Sequence, residues 1–239
     1  EARSEDYAFL KLHSKEADLL VQPTFGHRIA LVRSDGDSAV ITATGEGTSA
    51  HDAGAAYVFI RSGGVWLEQQ ILLASDAEPY DRIGFSAAID GDTVLVGAYQ
   101  EDTNGFVETG AVYVFTRNGS TWSEQKITAS DAQAKDNFGY SVAIEGNTAI
   151  IGALKEDSAG SSAGSAYVFT RSGSIWLEQH KLLASDAQSG DFFGAAVAID
   201  SGIALIGAER ESFNGTSAGA AYTFTLDADN DGLANWVET

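Results

Sequence analysis

The chain has 239 residues, no cysteine, and 34 acidic against 14 basic side chains, for a net charge of −20. A 44% hydrophobic content over that length is enough to bury a core. No apolar run approaches the roughly 18 residues of a membrane helix, and so negative a surface repels nucleic acid and anionic lipid heads, so neither nucleic-acid binding nor membrane insertion is expected. Without cysteine there is no disulfide, zinc-thiolate site or thiol nucleophile, which leaves packing and hard cations as stabilising devices. The acidic, lysine-poor surface suits a protein secreted into a salty medium, and equally a plain requirement for solubility. A first residue other than Met is expected of a processed or excised product.

In chain order, Leu10-Lys11-Leu12-His13-Ser14 has the letters of an outer strand with no hairpin before it. Phe25-Gly26 opens a worn repeat whose turn is Asp35-Gly36-Asp37 and whose second strand ends in Ala43-Thr44. Clearer copies open at Ile83-Gly84, Phe138-Gly139 and Phe193-Gly194, with turns at Asp90-Gly91-Asp92, Glu145-Gly146-Asn147 and Asp200-Ser201-Gly202. These residue types tolerate positive φ or bond to their own backbone, so each copy begins with a β-hairpin. The second strand ends in Gly-Ala at Gly97, Gly152 and Gly207. A polar loop of variable length follows, then an aromatic and β-branched third strand such as Ala166-Tyr167-Val168-Phe169-Thr170. A turn such as Arg171-Ser172-Gly173-Ser174 leads to a fourth, edge strand carrying Trp66, Trp122 or Trp176.

The opening glycines Gly26, Gly84, Gly139 and Gly194 are spaced by 58, 55 and 55 residues. A period of this length is one supersecondary unit stacked on copies of itself. Four-stranded antiparallel units with no helical segment between them predict an all-β fold, a β-propeller, over residues 1–225. The fourth copy has no Trp-containing outer strand, and the orphan segment at Leu10–Asp18 aligns with His180–Gln188. Four blades with the N-terminal strand completing the last one is therefore the expected closure. The rival is an open array that packs with further repeats, in a longer parent or a second copy.

The Phe-Gly start, the Gly-Ala end of strand two and the Tyr-Val-Phe third strand resemble the FG-GAP repeat, the blade unit of the integrin α-subunit head and of many bacterial surface proteins. The resemblance spans roughly residues 9 to 225 and is weakest in the first copy, where Ala43-Thr44 stands for Gly-Ala. It implies a module for binding, adhesion or scaffolding with no chemistry common to the family. Integrin-like blades often carry an Asp-x-Asp-x-Asp-Gly calcium loop. The matching stretches here, Gln100–Gly105, Lys155–Gly160 and Arg210–Gly215, lack the alternating oxygen ligands, so blade calcium is not expected.

The sharpest local motif is Asp227-Ala228-Asp229-Asn230-Asp231-Gly232-Leu233-Ala234-Asn235-Trp236-Val237-Glu238. Asp227, Asp229 and Asp231 place carboxylates on alternate residues, and Gly232 allows the bend. Leu233 offers its carbonyl, Asn235 stands at position nine, and Glu238 can bind through both oxygens, so calcium is the expected cofactor of residues 226–239. A strand rather than a helix enters the loop, which therefore resembles a dockerin or thrombospondin type 3 loop, and a further domain is expected after it. The bland alternative is an acidic linker.

Three recurring pairs, Asp76 with Asp81, Asp131 with Asp136 and Asp186 with Asp191, sit in the connections between copies. A catalytic dyad would be unique, so recurrence points to turn-stabilising Asx bonds, and the repeated tryptophans read as wedges between blades. His13, His27, His51 and His180 share no metal-ligand spacing, and no nucleophile elbow or phosphate loop is present. The expected function is a non-enzymatic secreted or cell-surface binding module. Its variable loops, roughly 45–53, 99–109, 154–163 and 209–218, meet a protein or glycan partner. A polysaccharide-active enzyme, and a structural subunit of a self-assembling fibre or large adhesin, are the alternatives. Isothermal titration should give calcium binding with a Kd of about 0.1–1 mM for the wild type and none for Asp229→Ala; absence of heat in both would remove the site.

Overall fold

A computed structural model describes residues 38–45, 47–103, 105–211 and 218–225. These residues form fourteen strands in four antiparallel sheets and no helix. The first sheet is β1 (Ser38–Ala43), β2 (Ala55–Ser62) and β3 (Val65–Leu72). The second is β4 (Ser86–Asp90), β5 (Thr93–Ala98), β6 (Ala111–Asn118) and β7 (Thr121–Ile127). The third is β8 (Phe138–Glu145), β9 (Thr148–Ala153), β10 (Ser165–Ser172) and β11 (Ile175–Leu182). The fourth, among the described residues, is β12 (Phe193–Asp200), β13 (Ile203–Ala208) and β14 (Ala220–Thr225).

Strands neighbour one another in sequence order within every sheet, and β4 packs on β8 as β8 packs on β12. This is the β-propeller arrangement that the repeat predicts. Its tight turns carry the backbone angles that the turn residues favour, with φ of +56° at Gly146 and of +52° and +73° at Ser201 and Gly202. The first hairpin's opening, Asp35-Gly36-Asp37 and the segment Leu10–Asp18 lie outside the described residues.

Burial explains why second strands read as continuous apolar runs. All six residues of β5 are buried, because both faces of that strand are covered, whereas the outer strands β3 and β7 are largely exposed. The cores lie between sheets rather than within them. Leu95 and Val114 of the second sheet pack with Phe138, Ile151 and Trp176 of the third, and Ile150 and Val168 pack with Ile206 and Tyr222 of the fourth. Trp176 is a fully buried wedge, as expected. Trp66 and Trp122 are half-buried, and Arg117 and Arg171 lie over the Trp122 and Trp176 rings at 5.8 and 5.7 Å.

The first copy differs from its sequence reading by one residue. Thr42 pairs with Ala56 and Ala43 with Ala55, as Gly97 pairs with Val112 and Ala98 with Ala111. Thr42-Ala43, not Ala43-Thr44, thus occupies the Gly-Ala place, and a Cβ on Gly84 of the next sheet would meet the Thr42 Cβ at 2.8 Å.

Elsewhere the seams close backbone to backbone. A Cβ on Gly97 or Gly152 would fall 2.1 or 2.0 Å from the carbonyl oxygen of Gly139 or Gly194. One on Gly54, Gly110 or Gly164 would fall equally close to Ile83, Phe138 or Phe193. Those last three pairs are parallel bridges joining the start of one third strand to the start of the next blade. Ser86 and Ser141 add hydroxyl donors to the Gly139 and Gly194 carbonyls, both at 2.7 Å.

Each seam also carries a buried polar lock. The Asp81, Asp136 and Asp191 carboxylates accept the backbone N–H of Glu78, Gln133 and Gln188 at 2.6–2.7 Å, the Asx bonds expected of a repeated turn. The other member of each pair faces elsewhere: Asp76, Asp131 and Asp186 accept the hydroxyls of Tyr113, Tyr167 and Tyr222, each at 2.8 Å. Lys126 bridges Asp76 and Glu101, and Lys181 bridges Asp131 at 2.7 Å and Glu156 at 2.8 Å.

Burial would raise Asp76, Asp131 and Glu156, but hydrogen bonds from Lys126 or Lys181, with tyrosine or serine hydroxyls, hold all three below the usual carboxylate range. Burial wins at Asp81 and Asp136 and pushes both up to about 6, against the backbone N–H of each turn and aided by Glu101 and Glu156.

Two predictions follow from seam geometry. Gly152→Ala forces a methyl into the Gly194 carbonyl and should cost about 2–4 kcal/mol by urea denaturation, against about 1 kcal/mol for Gly119→Ala, which sits in open space at φ +63°. Because folding raises Asp81 and Asp136 above 3.8, the folded state binds more protons than the unfolded between about pH 4 and 6. Stability then rises as pH falls from 7 to 5. It falls again below about 4, where the depressed Asp76, Asp131 and Glu156 become protonated. Melting curves should show a rise in Tm of about 2–5 °C from pH 7 to 5, most of it abolished in Asp81→Asn/Asp136→Asn, which keeps the acceptors and removes the charges.

Candidate functional site

The ends of second strands, the starts of third strands and the connections between blades gather at one end of the sheets, as the pairing of Ser86 with Gly97 and of Gly97 with Val112 requires. The loops there are stacked between connections. Loop 47–54 supports the connection Glu78–Ile83 through Tyr80 N–H to His51 carbonyl at 3.0 Å and Ile83 N–H to Ala53 carbonyl at 2.8 Å. Loop 99–110 supports the next connection in the same way, through Lys135 N–H to Val107 carbonyl at 2.9 Å and Phe138 N–H to Thr109 carbonyl at 2.8 Å.

Between the connection at 78–81 and the opposite side of loop 99–110 lies a cleft of about 260 Å3, lined by Glu78, Tyr80, Asp81, Asp102, Val107 and Glu108 among others. Its loop wall is held from within. The Asp102 carboxylate accepts Glu108 N–H at 2.8 Å, the Thr103 hydroxyl donates to Glu101 at 2.5 Å, and Thr103 N–H donates to the Thr109 hydroxyl at 3.0 Å. At its root Phe85, Tyr99 and Tyr140 stack with centroids 4.3–5.6 Å apart.

The lining combines apolar and anionic surface. Tyr80 is 55% exposed, Val107 49%, and Phe106 beside it 52%. The Tyr80 ring is braced by His51, with centroids 5.3 Å apart. Among the described residues Glu78, Asp102 and Glu108 have no ion-pair partner, since Arg82 faces Asp52 at 3.8 Å and Lys126 is taken by Asp76 and Glu101. With Asp81 at the floor, the cleft holds four carboxyl groups and no paired cation of its own.

The next seam shows that this lining belongs to one place. Equivalent backbone bonds put Gly190 and Phe192 on the Ser161 and Ser162 carbonyls, so Ser161 and Ser162 stand where Val107 and Glu108 do. Gln133, Ala134 and Lys135 stand where Glu78, Pro79 and Tyr80 do. The frame repeats and the lining does not.

The loops named from sequence as the binding face, 45–53 and 99–109, are those that flank this seam. Glu78 and Tyr80, which come from a connection read as purely structural, escaped that reading; the aromatic in Glu78-Pro79-Tyr80 and the apolar pair Phe106-Val107 inside a polar loop were the available signals. The predicted calcium ligands Asp227, Asp229, Asp231, Leu233, Asn235 and Glu238 lie outside the described residues. The blade loops commit their carboxylates internally: Glu156 accepts the hydroxyls of Ser158 and Ser165, both at 2.5 Å, and the Asp157 carboxylate accepts Ser162 N–H at 2.6 Å.

Comparison with known proteins agrees with this architecture. No curated protein matches the chain. The model of the FG-GAP repeat matches residues 66–115, 122–169 and 176–224, each match running from the outer strand of one sheet to the third strand of the next. Three repeats that together cover more than half of the 239 residues, on blades of the expected form, place the chain in the FG-GAP repeat family.

Proposed function

We propose that this chain is a non-enzymatic binding and scaffolding module, working in the secreted fraction or at a cell surface, whose partner is a protein presenting a basic segment to the cleft between the first two described blades. FG-GAP repeats generally serve in binding and adhesion modules, which supports the class of function.

The observation that carries the ligand chemistry is the cleft at one seam: exposed Tyr80 and Val107 beside Glu78, Asp102 and Glu108, three carboxylates without cationic partners among the described residues. An Arg or Lys side chain entering there would meet carboxylates at its charged end, while its stem lies along the tyrosine ring and Val107. The net charge of −20 would steer a basic partner toward the molecule before contact. The Asp227–Glu238 loop, as a calcium site, would stiffen the joint between this module and whatever it is attached to.

A short basic peptide containing Arg and Leu, titrated by fluorescence at 0.15 M salt, should bind the wild type and bind Glu78→Gln/Glu108→Gln about tenfold more weakly, as loss of charge-assisted contacts of about 1.4 kcal/mol requires. Asp200→Asn, which removes an exposed charge far from the cleft, should leave affinity unchanged. Equal weakening by both would reduce the effect to general attraction. Saturation by a neutral oligosaccharide, with no peptide binding, would assign the face to glycan.

A further inference from the structure

The seam lock occurs complete in two blades and can be read in a third. In the second sheet Lys126 lies opposite Tyr113 across β6 and β7, the Tyr113 hydroxyl donates to Asp76, and the lysine joins Asp76 to Glu101. In the third sheet Lys181 lies opposite Tyr167, with Asp131 and Glu156 in the same roles. Each lysine therefore comes from the outer strand. It ties the connection that precedes its sheet to the loop between that sheet's second and third strands.

The fourth sheet repeats the acceptor side. The Tyr222 hydroxyl donates to Asp186 at 2.8 Å. Glu211 is 2% exposed, and its carbonyl receives Gly219 N–H at 3.0 Å, as the Glu101 and Glu156 carbonyls receive Gly110 and Gly164 at 2.9 Å. β14 is the outermost described strand of this sheet and stands where β6 and β10 stand in theirs. Two buried-side carboxylates at this spacing call for a cation in the third blade as in the other two, because an acidic pair without one is costly.

The chain has six lysines. Lys126 and Lys181 fill the two observed locks, Lys135 and Lys155 lie in loops of the third sheet, and Lys11 and Lys15 remain. In Leu10-Lys11-Leu12, Lys11 aligns with Lys126 and Lys181, and Leu12 aligns with Ile127 and Leu182, which are 5% and 4% exposed. Lys15, in a run of polar residues, aligns with the serine after the outer strand.

The geometry points to Lys11 as the cation of the fourth lock: the segment around it forms the outer strand of the last blade, pairs with β14 so that Lys11 faces Tyr222, and places its ammonium between Asp186 and Glu211. The docking surface on β14 thus has a named occupant, the N-terminal segment of the same chain, and closure rests on a specific ion lock as well as on strand pairing. Nothing in this inference depends on what fills the cleft at Tyr80.

The absence of native cysteine permits a direct test. The register of β10 with β11 sets Val168 opposite His180, and the equivalent pair here is Thr223 with Leu10. Leu10→Cys/Thr223→Cys, oxidised mildly at low protein concentration, should form one intramolecular disulfide in a molecule of monomer mass. Cross-linked dimers or ladders would show that the strand comes from another copy, and a folded protein without any cross-link would overturn the pairing. Lys11→Glu should lower Tm by about 3–6 °C, and Lys15→Glu by less than about 1 °C. Equal responses would overturn the assignment of Lys11 to the lock.

Discussion

The approach of one blade's backbone to the next, within the space a single methyl would fill, is the constraint on which the rest of this structure depends. Gly97 against Gly139 and Gly152 against Gly194 bring Cα positions so near a neighbouring carbonyl that no side chain fits. Apolar residues on either side then bury one another across the seam, which is why the cores lie between sheets. A β-sandwich spends its hydrophobic face once, on one partner. Here β5 and β9 are covered on both faces by successive neighbours, and their sequences read as unbroken apolar runs.

Charge is arranged to serve the same seams. A chain with far more carboxylates than cations meets repulsion wherever acidic side chains are brought together. Lys126 and Lys181 answer this by each neutralising two carboxylates that belong to different loops, so that one cation fixes two backbone segments. Asp81 and Asp136, a few residues further on, have no such partner. Their burial is compensated by a backbone N–H alone, and their affinity for protons rises accordingly. The two members of each recurring acidic pair are therefore chemically unlike, although the sequence spells them the same way.

Much of the fold was legible because it is written in repeated letters. Phe-Gly, the two-residue turns and Tyr-Val-Phe specify local geometry that needs no knowledge of distant contacts, and their period identified the blade. The first copy resisted because Thr42 replaces a glycine, and without that landmark the end of β1 reads one residue late; only pairing with Ala55 and Ala56 fixes the register. The cleft was half legible. Its loop wall follows from length variation, but Glu78 and Tyr80 belong to a connection whose repeated aspartates drew attention to structure. Their exposure depends on which loop the connection faces, a tertiary fact with no local signature. The partners of Glu101 and Glu156 were illegible for the same reason, since each lysine lies about 25 residues away on an outer strand.

The offset between sequence repeat and sheet bears on how such a frame can carry function at all. Family matches begin at an outer strand and end at a third strand one sheet later, so each repeat straddles a seam and includes both sides of it. A repeat copied as a unit therefore carries its own seam glycines, its aspartate turn and its tyrosine together. Seam contacts survive duplication intact, while positions that touch nothing across the seam are free to diverge. Val107 and Ser161 occupy one backbone position, each giving its carbonyl to the following connection; the side chain there has no structural duty, and only in the one case does it become apolar and exposed. The same division places recognition where the backbone is held by its neighbours and the side chains are not, which is the condition for a rigid binding surface whose chemistry can change without loss of the fold.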